Sequence, residues 1–396
     1  MTHINQPTIT SAGIVRPTFV EVDLGRLTTN LKAIRRHVGQ AKIMAVLKAN
    51  AYGHGLVEVA RHLSRVGIDY LGVAYLEEGI LLREQGINAP ILVLGGIMGN
   101  QIPHFLEYNL TLTASSVEKL EQIERVARER GAIARVHLKI DTGMERIGVH
   151  YYSAHTLLEA ALECQHTFVE GIFSHFATAD AADLDYARLQ LARFEEVLAF
   201  YERRGLPAPP LRHIANSGAI LQLPQSTFDM VRAGILLYGV YPSDDVPRFV
   251  AVQPALTWKS HVVYFKVVKP GHPVSYGATW QADEMVRMVT VPVGYGDGYF
   301  RSMSGQAEVI IRGKRYPVVG RICMDQMMVN IGWDSAYNGD SVILLGEGEG
   351  ASITAEELAE WAGTIPYEVL TNINTRVPRI YIDGDRPGSL PKSLTE

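Results

Sequence analysis

The 396 residues contain only two cysteines, Cys164 and Cys323, too few for a disulfide framework and without the paired spacing of a metal site. Two reduced thiols in a cytoplasmic protein are the expectation. No run approaches the ~20 consecutive apolar residues that span a bilayer. Residues 1–16 are polar, rich in Thr, Ser, Asn and Pro, lack the apolar core of a secretory signal, and read as a loose tail. An excess of one charge is also missing: the formal net charge is −5 with no sustained basic stretch, so neither nucleic acid nor membrane is expected as a partner. Internal repeats and low-complexity tracts are absent. What remains is an ordinary globular composition, 47% apolar and 20% charged, at a length that suits two or three domains.

Through residues 17–250, short β-rich runs alternate with helical patterns, as in a parallel sheet with crossover helices. Candidate strands lie at 43–47, 70–74, 91–94, 111–113, 134–140, 170–174, 211–214 and 229–233. Eight strands over that length fit an N-terminal (β/α)8 TIM barrel better than an open doubly wound sheet. Leu184, Ala187, Leu191, Phe194, Leu198 and Tyr201 recur at helical spacing and stop before Gly205. Ser115, Ser116, Val117 and Glu118 read as a capping box opening a helix that ends near Gly131. A turn-rich link at 241–250 leads to a mostly-β C-terminal domain, 251–385. Its strands are expected at 258–268, 285–293, 308–311, 316–319, 327–331 and 341–345, with one helix at 354–362 and a closing segment at 366–382.

The strongest chemical signal is Ala45-Val46-Leu47-Lys48-Ala49-Asn50-Ala51-Tyr52-Gly53-His54-Gly55. An apolar strand runs into a lysine, then a glycine-bracketed turn, then a helix. Strand ends of that polarity form the active face of a barrel. A lysine with its stem among apolar neighbours has reason to lose its proton and serve as a Schiff-base amine. Alone, a lysine reaching solvent is the commoner reading. Further on, Lys139 and Arg146 can place two cations near the same mouth, suited to a carboxylate or phenolate, though a structural Asp–Arg pair in that loop stays equally open. His175 ends a strand, where a lone histidine is more often core or surface than catalytic. His213, Ile214, Ala215, Asn216 and Ser217 put a hydroxyl at a helix start, either a phosphate cradle or a simple cap. Gly234 permits close backbone approach, and its N–H with that of Ile235 can bind phosphate.

These segments resemble the alanine racemase family, nearly residue for residue around Lys48 and again at Lys139-Ile140-Asp141-Thr142-Gly143-Met144-Glu145-Arg146-Ile147-Gly148. The likeness runs from about Pro17 to Asp383. It implies a barrel followed by a β domain, a head-to-tail homodimer, pyridoxal 5′-phosphate (PLP) as cofactor, no metal, and alanine as substrate. By it, Lys48 carries the cofactor. Tyr52, Asn216, Ser217, Gly234, Ile235 and Tyr367 surround the phosphate, and Tyr367 narrows the pocket to a small side chain. Arg146 meets the cofactor's phenolic oxygen and the substrate carboxylate, and Lys139 is the lysine often carbamylated to orient it. The residue before Arg146 is commonly Gly or Asn in the family; here it is Glu145, a carboxylate able to weaken the local positive field. His175 orients and does not act as a base.

Arg232 is assigned by the resemblance to the pyridine nitrogen. An arginine keeps its proton, so that nitrogen stays unprotonated, the ring is a weaker electron sink, and transamination and decarboxylation are disfavoured. Racemisation needs two acid/base groups flanking Cα. The resemblance selects Tyr276 as the second, reaching the Lys48 of the other subunit, with His175 and Arg232 giving its phenol a cationic setting. Met324 and Asp325 are implied at the partner's substrate site, and Asp180, Tyr295, Arg301, Arg321 and Ile365 at the entrance. A related racemase of broader range or serine preference is the alternative, because one or two pocket changes shift such discrimination. A PLP-dependent decarboxylase fits less well, given Arg232. A non-enzymatic PLP-binding protein would keep a single barrel and lack Tyr276.

Overall fold

The computed structural model describes residues 16–383; the expected tail at 1–15 and the last residues of the second domain, 384–385, lie outside them. The chain divides into two compact units. One comprises Leu27–Ala51 and Leu56–Gln253. The other comprises the chain up to Arg26, Tyr52–Gly55 and everything from Pro254.

The first unit is the expected barrel. Its strands are Lys42–Val46, Tyr70–Val73, Ile91–Val93, Leu112–Ala114, Ala134–Asp141, Thr167–Phe173, Leu211–His213 and Met230–Ala233. Lys42–Val46 pairs in parallel with both Tyr70–Val73 and Met230–Ala233, and the run from Leu112–Ala114 to Leu211–His213 is parallel throughout. Bonds from Val93 N to Thr111 O (3.1 Å) and from Arg232 N to Ala215 O (3.0 Å) close the ring. Met44, Tyr70, Leu92, Leu211 and Met230 pack together from five different strands, which only the inside of a closed barrel allows.

Helix Asp185–Arg203 buries Ala187, Leu191, Phe194, Val197 and Tyr201. Val197 takes the place expected of Leu198, which is half-buried. The helix stops where Gly205 takes a φ of 64° and its N–H bonds Glu202 O at 3.0 Å. In helix Val117–Glu129 the cap sits one residue later than the capping-box reading. Ser116 Oγ accepts from Lys119 N at 3.1 Å, so Lys119 takes the third helical position and no reciprocal carboxylate bond forms.

The second unit holds a ten-stranded sheet ordered Tyr264–Val268, Val286–Val291, Met327–Asn330, Lys314–Val319, Glu308–Ile311, Ser341–Gly348, Leu256–His261, Phe19–Asp23, Arg379–Ile382, with Ala351–Ile353 paired to Ser341–Gly348. Two of its features depart from expectation. The strand expected at 258–268 is two strands, because Val262 N bonds Asp340 O while Val263 N bonds Thr290 O, so the chain changes partners between adjacent residues. Phe19–Asp23, placed with the barrel by a boundary at 17, pairs instead with Leu256–His261 and Arg379–Ile382 in this sheet. Arg16, counted with the loose tail, is tied down: Nη2 pairs with buried Asp297 Oδ1 at 2.5 Å and Nη1 donates to Arg376 O at 3.0 Å. Among the described residues, no helix is long and apolar enough to cross a membrane.

Gly53 has a φ of +81°, and a Cβ there would lie 2.1 Å from Leu370 O. Gly39 has a similar φ of +65° with open space around it. Gly39→Ala should therefore cost about 1 kcal/mol, the backbone penalty alone, and Gly53→Ala about 3 kcal/mol or more. Urea unfolding of the two variants checks the difference; equal losses would contradict it.

Candidate active site

Lys48 follows the first barrel strand, and the turn it opens is not the glycine turn the sequence suggests. Ala49, Asn50, Ala51 and Tyr52 all take φ between 52° and 57°, one turn of left-handed helix made of non-glycine residues. Each such residue costs roughly 1–2 kcal/mol, so surrounding bonds must impose the shape. Glu78 is the main clamp: its Oε1 accepts from Ala49 N at 2.9 Å and its Oε2 from Ala74 N at 2.8 Å. Asn50 Oδ1 accepts from Leu56 N at 2.8 Å, and Ala51 N bonds Leu47 O at 2.7 Å. Burial, then Arg146 and Arg232, lower the Lys48 pKa below its ordinary 10.5, against an opposing pull from Glu78.

Around Lys48 the barrel collects cations. Arg232, on the last strand, is buried and bonds three carbonyls through Nη1 and Nη2: His213 O at 3.2 Å, Ser174 O at 2.8 Å and Ile214 O at 3.0 Å. Its Nη2 also donates to His175 Nδ1 at 2.8 Å, which joins two of the expected site residues directly. Burial first, then Arg146, bring Arg232 down to about 9, still protonated at neutral pH. Burial, then Arg232, hold both His175 and Lys139 well below their ordinary values. Lys139 Nζ lies 4.8 Å from the centre of the Phe173 ring. Lys48, Lys139, Arg146 and Arg232 make no ion pair with a carboxylate among the described residues.

The Asp–Arg pair left open for the loop after Lys139 is not formed. Asp141 spends its carboxylate on backbone N–H groups, those of Gly143 (2.7 Å), Met144 (3.0 Å) and Arg146 (3.2 Å), leaving the Arg146 guanidinium exposed and unpaired among the described residues. Glu145 turns away to His150 Nε2 at 2.8 Å. It is not among the charges acting on Lys48, Lys139 or Arg232. Glu145 has a φ of 54°, the conformation Gly and Asn tolerate best.

At the helix Ser217–Gln222 the cap is Asn216, whose Oδ1 accepts from Ala219 N at 3.0 Å. Ser217 Oγ accepts from Gly234 N at 3.0 Å, which uses one of the two expected phosphate donors and leaves the N–H of Ile235 and the hydroxyl proton of Ser217. Asp180 is half-buried, with its carbonyl accepting from Ser243.

Within the β unit, the Tyr52 and Tyr367 rings lie 6.1 Å apart. Tyr276 is 70% exposed, on a short turn after Ser275, which has a φ of 66°. No cationic partner touches its phenol among the described residues. Ser275 Oγ donates to Arg321 O at 2.5 Å, and Tyr295 N and Gly296 N bond Cys323 O and Met324 O, so these segments form one exposed group. Asp325 pairs with Arg376 Nη2 at 2.7 Å, and the Arg376 Nε holds buried Asp297 at 2.7 Å. Arg301 and Ile365 are exposed on turns of their own.

Sequence reasoning gives Glu78, Gln190, His213, His137 and Glu170 no role. Gln190 braces the His175 loop, donating to His175 O at 3.0 Å and accepting from Ala177 N at 2.9 Å. For the strand residues the available signal was a polar side chain within an apolar strand, as His137 between Val136 and Leu138.

Glu145→Gly should stabilise the fold by roughly 0.5–1 kcal/mol, since the lost ion pair is exposed and worth little while the backbone strain is real. A lower thermal midpoint would refute that account. The imidazoles of His137, His175 and His213 sit below 6.5 in the folded chain. Below that pH the unfolded chain takes up protons the folded one refuses, so stability falls with acid. The urea midpoint should drop between about pH 6.5 and 5, ahead of any loss from carboxylates such as Glu170, lowered to about 2.

The profile of the alanine racemase N-terminal domain matches residues 22–242 and that of the C-terminal domain residues 255–381. An alanine racemase of Carboxydothermus hydrogenoformans is 46% identical over 371 residues, 93% of this chain and 100% of that protein. An alanine racemase of Clostridium difficile 630, solved in complex with cycloserine, is 39% identical with a TM-score of 0.87, covering 94% of this chain and 97% of that one. The structure from Bacillus anthracis with bound L-Ala-P is 36% identical with a TM-score of 0.88, covering 95% and 97%. With both domain profiles matched in order and relatives aligned over nearly their whole length, the chain belongs to the alanine racemase family.

Proposed function

We propose that the chain is a cytoplasmic enzyme that interconverts L- and D-alanine with PLP bound at the barrel mouth, as a homodimer whose sites take Tyr276 from the second copy. The observation that supports it most is a lysine of lowered pKa among cations that lack carboxylate partners, in a chain that aligns with curated alanine racemases nearly end to end. Buried or crowded cations without counter-charges favour an anion, and the cofactor's phosphate and phenolate answer that need. The Nε of Arg232 has no partner among the described residues, a donor free for the ring nitrogen.

When bound, PLP supplies the electron sink for the pair left at Cα once the α-proton is removed. Lys48, reluctant to hold a proton, exchanges that proton on one face, and Tyr276 exchanges it on the other. Arg146 binds the substrate carboxylate. Arg232 stays charged and so leaves the ring nitrogen unprotonated, which discourages side reactions. Ser217 and Ile235 N–H hold the phosphate. Lys139, held well below its ordinary pKa by burial, is suited to take up carbon dioxide with loss of a proton, giving Arg146 an anionic neighbour.

With L-alanine in D2O, the α-position should gain deuterium as optical rotation decays. Release of carbon dioxide, or no exchange, would sink the reading. Lys48→Ala should abolish the cofactor's long-wavelength absorbance. Lys48→Ala and Tyr276→Phe should each be inactive alone, and subunits mixed by dissociation and reassociation should recover about a quarter of the sites. Mixed dimers that stay inactive would show that the two residues do not meet across subunits.

A further inference from the structure

Arg232 is the end of a buried polar chain that leaves the mouth and runs down through the barrel. Its Nη1 donates to His213 Nδ1 at 2.9 Å, His213 Nε2 meets His137 Nδ1 at 2.8 Å, and His137 Nε2 faces Glu170 Oε2 at 3.6 Å. Glu170 in turn accepts from Tyr70 OH at 2.8 Å and pairs with Arg135 at 3.1 Å. Arg232, His213 and His137 are at most 3% exposed, and Glu170 lines an open cleft with Gln40, Lys42, Phe168 and Phe228.

Hydrogen-bond logic fixes the direction of this chain. An arginine only donates, so His213 Nδ1 must accept. The neutral imidazole then carries its proton on Nε2 and donates it to His137 Nδ1, which leaves the His137 proton on Nε2, facing the carboxylate at 3.6 Å as a charge–dipole contact and not a formed hydrogen bond. Every donor points from the cation to Glu170. Room is kept for the arrangement: a Cβ on Gly171 would lie 2.6 Å from His137 Nδ1, the atom that receives the bond. The rings are braced as well, with Phe173 stacked on His213 at 4.8 Å and 2°. Burial keeps both histidines neutral, so the charges sit at the two ends, Arg232 at one and the Glu170–Arg135 pair at the other. Such a file of polar groups is a costly way to fill a barrel that branched aliphatic side chains fill well.

We propose that His137 and Glu170 are positioning residues for the racemase reaction, which hold the direction and charge of Arg232 from the far side of the barrel through His213. The inference rests on the reading of Arg232 as partner of the cofactor's ring nitrogen. Without His137, His213 loses its acceptor and is free to turn or exchange tautomers, and the Nη1 bond of Arg232 is no longer dictated. Without the charge on Glu170, the two rings lose the anion toward which their donors point.

The test uses the holoenzyme and three substitutions. In His137→Leu the kcat for both enantiomers should fall about tenfold with KM within about twofold, the scale seen when the outer partner of an anchoring side chain is removed. The 15N shift of the cofactor's ring nitrogen and the pH dependence of its absorbance should move together with that loss. His137→Gln, whose amide can accept from His213 and donate to Glu170, should restore both. Glu170→Gln, at the solvent end, gives the same spectral displacement in a variant with less risk to folding. Unchanged ring-nitrogen shift and pH profile in His137→Leu and Glu170→Gln would overturn the proposal. Arg232→Lys separates the premise: if it too leaves the ring-nitrogen shift unmoved, the reading of Arg232 has failed, whereas a shift there with none in the other two variants defeats only the relay.

Discussion

The guanidinium of Arg232 is fixed before any ligand arrives. Both of its terminal nitrogens are committed, to carbonyls after the sixth and seventh strands and to two imidazoles, so neither direction nor charge is left to chance. That fixed cation then shapes its neighbours. It lowers Lys48, Lys139 and His175 alike, and with Arg146 it builds a positive field at one mouth of the barrel. A field of this kind is expensive in a protein interior unless an anion completes it. The barrel meets the expense by committing the nearby carboxylates elsewhere: Asp141 to backbone amides, Glu78 to the turn after Lys48 and Glu145 to His150. The reaction chemistry therefore begins with where acidic groups are not.

Much of the fold was legible because its signals are local. All eight barrel strands lie within a few residues of their expected places, and Asp185–Arg203 follows its apolar stripe to the glycine that stops it. The errors share a cause. A strand that changes partner between Val262 and Val263, and an N-terminal strand that joins residues some 240 and 360 positions away, are settled by long-range hydrogen bonds that no window of sequence contains. The capping error at Ser116 is smaller: two adjacent serines offer equivalent oxygens, and only the helix phase chooses between them.

The site divides in the same manner. Lys48, Arg146 and Arg232 sit at strand ends or loops whose chemistry is visible residue by residue. Glu78 and Gln190 were not legible, since each acts on backbone atoms of a segment far from its own. The phosphate motif was legible in composition and not in its bonding, where Asn216 serves as the cap and Gly234 N–H donates to Ser217. A motif names residues that gather, and the hydrogen-bond inventory then decides which of their atoms remain to offer.

The turn after Lys48 has a consequence for synthesis and for chirality. Its backbone winds in the hand that mirror-image residues prefer, with Ala49 and Ala51 at φ of 54° and 53°. D-Alanine introduced at those two positions by chemical ligation would relax the strain while adding no atom, although its methyl groups would project in new directions. An enzyme family that handles both hands of alanine thus keeps, beside its own lysine, a stretch of ordinary L-residues folded in the conformation natural to the opposite enantiomer.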